Sequence, residues 1–237
     1  MIQRVVVGLI VVVLVGGLAT LGVVLASSPS APQSDLAALG LTAEKPPAPL
    51  TAPAAAPVAS GSTVDAAWVR RASAASGIPE TAIDAYGRVT LLVARQDPGC
   101  HLGWTTLAGI GTVESANGTI GGRRLLPSGY ADRPITGPAL NGVGGFAAVQ
   151  DGRDWARALG PMQFLSSTWR TWGVDGDGDG RADVHDIYDA SLAAAHYLCA
   201  DGHDLATAQG WTAAVYSYNH SAAYVTQVHD AASAAAG

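Results

Sequence analysis

The sequence predicts a mainly α, compact helical domain with loops around a cleft, preceded by an apolar N-terminal segment and a Pro/Ala-rich linker. Three observations predict it. Segments of helical periodicity, opened by capping signals and closed by Asp97-Pro98-Gly99 or Asn117-Gly118, dominate residues 63–237. Strand signals are confined to one Gly/Pro-rich stretch, residues 119–151. Composition also changes sharply at about residues 26 and 62.

Residues 5–26 form an uncharged apolar run of 22 residues. As a helix, at 1.5 Å per residue, such a run reaches ~33 Å, close to a bilayer's ~30 Å hydrocarbon core. Segment 1–26 is therefore either a transmembrane anchor or a cleaved signal peptide. The run exceeds the usual ~7–15 residues of a signal core, whereas Ala26-Ser27-Ser28 offers small residues for cleavage. Both readings place the remainder outside the cytoplasm. Arg4 precedes the run and no basic residue follows until Lys45, an asymmetry that keeps the N-terminus inside.

Residues 27–62 hold 7 of the 13 prolines among Ala, Ser and Thr and are expected to be a disordered, semi-extended linker. Its reach at ~3.1 Å per residue is at most ~110 Å. Residues 63–237 suffice for one domain with a sizeable core. Arg4, Lys45, Asp35 and Glu44 cancel, so the net charge of −6 falls on this domain, which without a basic stripe excludes nucleic acid as a partner.

Within the domain, an Ala-rich first helix spans 63–76. Gly77-Ile78-Pro79-Glu80 starts a second that runs to about Gln96, with Glu80 complementing the helix dipole. A third runs from about Leu102 to Asn117-Gly118, where left-handed backbone is cheap. Residues 119–151 are either a long functional loop or a small strand-and-loop excursion. Helices resume at 161–172, 189–200, 204–218 with an interruption at Gly210, and from Ser221 to the end.

Cys100 and Cys199 are the only cysteines, both in the exported domain, and a disulfide is the natural reading. Closing a loop of ~100 residues stabilises by roughly 4–5 kcal/mol in the chain-entropy account. His196, Cys199 and His203 offer a rival metal spacing. Asp201-Gly202 ends the helix before His203, however, and no second cluster accompanies them.

Glutamate is scarce, only Glu80 and Glu114 standing in the domain beside 15 aspartates. Glu114 ends the stripe Leu107, Ile110, Gly111, Glu114, spaced i, i+3, i+4, i+7, so a face built for burial finishes in a carboxyl group. It also lies near a helix C-terminus, where the dipole disfavours negative charge. Both effects raise its pKa and suit a general acid.

Three segments now stand in order: Gly109-Ile110-Gly111-Thr112-Val113-Glu114-Ser115, then Leu159-Gly160-Pro161-Met162-Gln163-Phe164-Leu165-Ser166-Ser167-Thr168-Trp169, then Tyr216-Ser217-Tyr218-Asn219. Together they resemble the signature segments of lytic murein transglycosylases, most closely the membrane-bound B type, over residues 78–225. Ser166 departs from the pattern, which often has proline there. The resemblance implies a lysozyme-like fold and a peptidoglycan glycan-strand substrate. It implies that Glu114 is the sole catalytic carboxylate, that Gln163, Tyr218 and Asn219 line the sugar cleft, and that Ser115 contacts an N-acetyl sugar or orients the acid. One carboxylate suffices for that chemistry if the substrate's N-acetyl group assists departure and its own C6 hydroxyl closes on C1. Hydrolytic glycosidases instead pair two carboxylates, and Asp151 and Asp154 remain candidates for a second.

The run from Asp175 to Asp186 places Asp175, Asp177, Asp179, Asp183 and Asp186 at loop positions 1, 3, 5, 9 and 12, with Arg181 at 7 and Gly180 at 6. This is the spacing with which an EF-hand-like loop wraps calcium, although Asp replaces the usual Glu at 12. The B-type enzymes carry such a loop, and a structural Ca²⁺ is the expected cofactor. Three functions follow: a lytic transglycosylase producing 1,6-anhydroMurNAc ends, a hydrolytic muramidase on the same fold, or a non-catalytic wall-binding module.

Overall fold

The computed structural model describes residues 36, 38–46, 53, 64–144 and 147–237. The apolar run 5–26 and most of the expected linker lie outside the described residues. Among the described residues, no helix is long and apolar enough to cross a membrane.

Seven α-helices are described: α1 (Ala66–Ser76), α2 (Glu80–Gln96), α3 (Trp104–Ser115), α4 (Ser166–Trp172), α5 (Ile187–Cys199), α6 (Ala208–Tyr218) and α7 (Ala222–Ala236). The mainly helical expectation therefore holds, with local shifts at helix starts. Asp65 opens α1 by accepting a hydrogen bond from the Trp68 amide, three residues after the expected start. Helix α2 starts and ends where its Pro79 and Asp97 signals place it. The interruption expected at Gly210 is in fact the beginning of α6, because the Thr207 hydroxyl caps the Gly210 amide at 3.0 Å. Ser221 caps α7 in the same way through the Tyr224 amide.

Helix α3 is the centre of the domain. Residues from Trp104 through Gly111 are buried on every side, which is why its sequence is apolar all round rather than striped. Its two internal glycines, each costing roughly 1 kcal/mol of helix propensity, permit close approach. A methyl group at Gly109 would stand 2.7 Å from the Val228 carbonyl oxygen of α7, and one at Gly111 would overlap the Tyr86 hydroxyl. Trp68 meets Trp104 edge to face at 5.6 Å, and Trp211 donates from Nε1 to Thr106 Oγ1 at 3.0 Å.

The stretch between α3 and α4 is a strand-and-loop excursion and runs further than expected, through residue 165. It contains two antiparallel ribbons: β1 (Gln150–Asp151) with β2 (Asp154–Trp155), and β3 (Ala158–Leu159) with β4 (Phe164–Leu165). The pairing of Phe164 and Leu165 with Leu159 and Ala158 is what delays α4 from the expected residue 161 to Ser166.

Two long-range ties complete the domain. Cys100 and Cys199 form a disulfide across 99 residues, joining the loop after α2 to the end of α5 and removing Cys199 from any metal reading. The second tie departs from the linker expectation. Leu41 packs against the core, and Glu44 makes two backbone hydrogen bonds to the buried Thr212 hydroxyl of α6, its amide donating at 3.0 Å and its carbonyl accepting at 2.8 Å. Part of a Pro/Ala-rich segment is thus seated on the domain.

Candidate active site

Helix α3 ends in three successive left-handed residues, Ala116, Asn117 and Gly118, with φ of 51°, 53° and 84°. Only Gly118 adopts this region without cost, so the other two need compensation. Asn117 receives it: its Oδ1 accepts from Tyr86 Oη at 2.8 Å and its Nδ2 donates to Thr112 Oγ1 at 2.9 Å. This turn ends α3 two residues after Glu114.

The Glu114 carboxyl is half-buried and accepts one hydrogen bond, from the Tyr224 hydroxyl of α7 to Oε1 at 2.7 Å. Burial pushes its pKa from 4.5 to about 8, against the smaller opposing effect of that hydrogen bond. The Tyr224 and Tyr218 hydroxyls are held well above their ordinary value, first by burial and then by the nearby Glu114 charge, so both remain donors. Their rings lie parallel, 3° apart in plane at 6.4 Å between centroids. Sequence reasoning missed Tyr224. The available signal was the Ser221 cap, which puts a tyrosine in the first turn of α7 shortly after Tyr218-Asn219.

Of the other expected residues, Ser115 is fully buried and faces the protein. Its hydroxyl donates to the Pro161 carbonyl at 2.6 Å and accepts from the Gly118 amide at 2.9 Å. It therefore ties the end of α3 to the second motif, which fits orientation of the acid and not sugar contact. Tyr218 is also buried, donating to the Met162 carbonyl at 2.9 Å. Asn219 follows it at the C-terminal end of α6 and is buried. Gln163 is half-exposed in left-handed backbone, φ 52°, with Nε2 donating to the Gly160 carbonyl at 2.8 Å. Motif one thus grips motif two through Ser115 and Pro161, and motif three grips it through Tyr218 and Met162. Asp151 and Asp154 sit across the β1–β2 hairpin, with Asp151 3.7 Å from Arg170. A surface cavity lined by Val93, Gln96, Asp97, His196, Cys199 and Ala200 shares none of these residues.

The acidic loop folds as a chain of side-chain-to-backbone turns. Asp175 accepts from the Gly178 and Gly180 amides at 2.7 and 2.9 Å, which hold its pKa down. Asp177 and Asp179 accept from the Asp179 and Arg181 amides, and Asp183 from the His185 amide. The carboxylates that converge are those of Asp175, Asp177 and Asp189, with oxygens within 4.8 Å of one another. Two oxygens each ~2.4 Å from one calcium ion are at most ~4.8 Å apart, so this trio fits such an ion. Asp186, expected as a ligand, instead caps α5 by accepting from the Tyr188 amide at 2.7 Å, and burial pushes its pKa to about 7. Asp189, in the first turn of α5, likewise serves the backbone, its two oxygens accepting from the Gly176 and Asp183 amides at 2.6 and 2.8 Å.

Comparison with known proteins gives one match: residues 152–217 fit the family model described as the transglycosylase SLT domain. It supports a glycan-cleaving enzyme of the lytic transglycosylase family acting on peptidoglycan. The matched segment contains Gln163 and the acidic loop and stops short of Glu114, Tyr218, Asn219 and Tyr224. No curated protein and no solved structure matches the chain.

Proposed function

We propose that this chain is a lytic transglycosylase of the membrane-bound B type that cleaves MurNAc-β-1,4-GlcNAc bonds, with Glu114 as the single acid and base. The observation that carries this reading is the Glu114 carboxyl, held protonated near neutral pH by burial and gripped on one oxygen by Tyr224. With Oε1 occupied, Oε2 carries the proton and delivers it to the glycosidic oxygen as the C1–O bond breaks. The substrate's N-acetyl oxygen shares the positive charge at C1. The resulting Glu114 carboxylate is stabilised by the Tyr224 hydroxyl and then takes the proton of the C6 hydroxyl as that oxygen closes on C1. Glu114 thereby regains its acid form.

Asp175, Asp177 and Asp189 are the residues that would hold a structural Ca²⁺, which would neutralise their mutual repulsion and pin the loop between α4 and α5. Residues 5–26 carry the chain across the membrane as an anchor or leave it as a cleaved signal, and the disulfide accords with an oxidising compartment outside the cytoplasm.

Mass spectrometry of products from purified sacculi tests the function. The wild-type chain yields 1,6-anhydroMurNAc ends and Glu114→Gln yields none, losing at least ~10²–10⁴-fold in rate. Reducing ends would assign a hydrolytic muramidase. An inactive wild type that still binds sacculi would assign a wall-binding module.

A further inference from the structure

The domain's net charge conceals a segregation. Residues 119–170 carry six arginines and three aspartates, a net +3, while the rest of 63–237 carries five arginines against fourteen acidic residues, a net −9. Within the excursion most guanidinium groups are committed. Arg123 and Arg133 donate to backbone carbonyls, Arg124 pairs with Asp132 at 3.4 Å, and Arg170 lies 3.7 Å from Asp151. Among the described residues Arg153 and Arg157 have no carboxylate partner within 4.0 Å.

These two flank an exposed aromatic residue. Arg153 lies in the two-residue turn of the β1–β2 hairpin, beside Gly152 with φ 66°. Beyond it, Ala156 and Ala158 turn inward and are buried, whereas Trp155, 41% exposed, and Arg157 face outward. Alternation along extended chain puts these two on one face, ~6.6 Å apart. The face adjoins the site through a continuous run of contacts. Arg157 Nη1 donates to the Gly137 carbonyl at 2.9 Å, and Gly137 packs against the Gln163 side chain. Gln163 belongs to the loop that Ser115 holds beside Glu114. Nη1 is one of several donors on that guanidinium, and the others stay available.

We propose that Arg153, Trp155 and Arg157 form a subsite for the carboxylate-bearing peptides attached to the glycan strand. The inference rests on the glycan-cleaving reading above and specifies the form of substrate, a peptide-substituted strand in preference to a bare one. Charge complementarity carries it. A strand bearing free peptide carboxylates is a polyanion that most of this acidic domain repels, and the excursion is where it is drawn in. The indole offers a flat apolar platform, and the two guanidiniums provide forked donors that fit carboxylates.

The test uses Glu114→Gln protein, which holds strands without cutting them, and measures its binding to peptide-bearing glycan strands and to the same strands stripped by an amidase. The expected result is a preference for the peptide-bearing form that weakens as salt rises. Adding Arg153→Gln and Arg157→Gln lowers the ratio of the two affinities about fivefold, as two solvent-facing charge-assisted contacts allow. Arg153→Gln alone, at an exposed hairpin tip, lowers it in the same direction should the double variant fold poorly. Equal binding of both strands, or a preference that survives both substitutions, overturns the subsite. A catalytic chain that cleaves neither strand, alongside an arginine-dependent binding preference, overturns the enzymatic reading and leaves the subsite standing.

Discussion

Glu114 sits at the end of a buried helix with one hydrogen-bond donor, and pH acts on this residue in two ways. For activity, the acid form is the working one in the mechanism proposed above, so kcat/KM is expected to fall above pH about 8, roughly tenfold per unit. For stability, the folded state binds the proton more tightly than the unfolded chain between 4.5 and about 8. The contribution of this carboxyl is full below that window and is lost as pH rises through it. Glu114→Gln is therefore level with wild type near pH 4 and more stable by about 1–3 kcal/mol near pH 9, a figure reduced for the group's solvent access. Thermal melts at the two pH values check this, and equal melting at both would place the carboxyl in water. Tyr224→Phe makes a second prediction. Losing the donor removes the one effect that lowers the Glu114 pKa, so the alkaline limb of the rate profile moves upward while kcat drops about tenfold. A drop in kcat with an unmoved limb would mean that Tyr224 only packs. Glu114 was legible in sequence because apolar spacing and flanking motifs converge on it. Tyr224 was legible only in part: the Ser221 cap marks its place in the first turn of α7, whereas its contact with Glu114 depends on α7 crossing α3, which no local pattern encodes.

At the scale of elements, two neighbouring aspartates both accept backbone amides, Asp186 from Tyr188 and Asp189 from Gly176 and Asp183, but only Asp189 belongs to the converging trio. Asp189→Asn removes a carboxylate from the converging trio, and Asp186→Ala removes the cap of α5. A calcium-dependent rise in melting temperature, corresponding to ~2.7 kcal/mol at 100-fold over Kd, is expected for wild type and for Asp186→Ala but not for Asp189→Asn. Both variants also lose about 1 kcal/mol with or without calcium, Asp186→Ala through the cap of α5 and Asp189→Asn through one of its two amide acceptors, so the calcium-dependent part of the shift is what distinguishes them. A calcium response lost in Asp186→Ala and kept in Asp189→Asn would return the site to the twelve-residue pattern. Helix ends marked by Pro79, Asp97 and Ser221 were readable, because each signal is local. The start of α4 was not. Residues 161–165 have helical-looking spacing, yet Met162, Phe164 and Leu165 are buried through ribbon pairing and the left-handed turn at Gln163. A preference for burial does not say which backbone achieves it.

Over the whole molecule, the helical class, the disulfide and the order of the three motifs were readable from sequence, while the way the motifs grip one another was not. Those grips are hydrogen bonds from Ser115 and Tyr218 to backbone carbonyls, and a carbonyl has no letter in the sequence. The seated linker was equally hidden, because its hold comes from the Glu44 backbone and not from its side chain. Hydrogen exchange checks it: the Glu44 amide is protected in wild type and exchanges freely in Thr212→Val, and rapid exchange in wild type would detach the segment. The seating has a mechanical consequence. If residues 5–26 are the anchor, the domain is moored at Leu41 and not at Val64, and the chain between anchor and mooring shortens from residues 27–63 to residues 27–40. At ~3.1–3.4 Å per residue the contour of that stretch is at most ~45 Å in place of ~110 Å, and the volume that the cleft can sweep scales as the cube of that radius. Docking six residues thus concentrates the enzyme roughly tenfold in the layer of wall nearest the membrane.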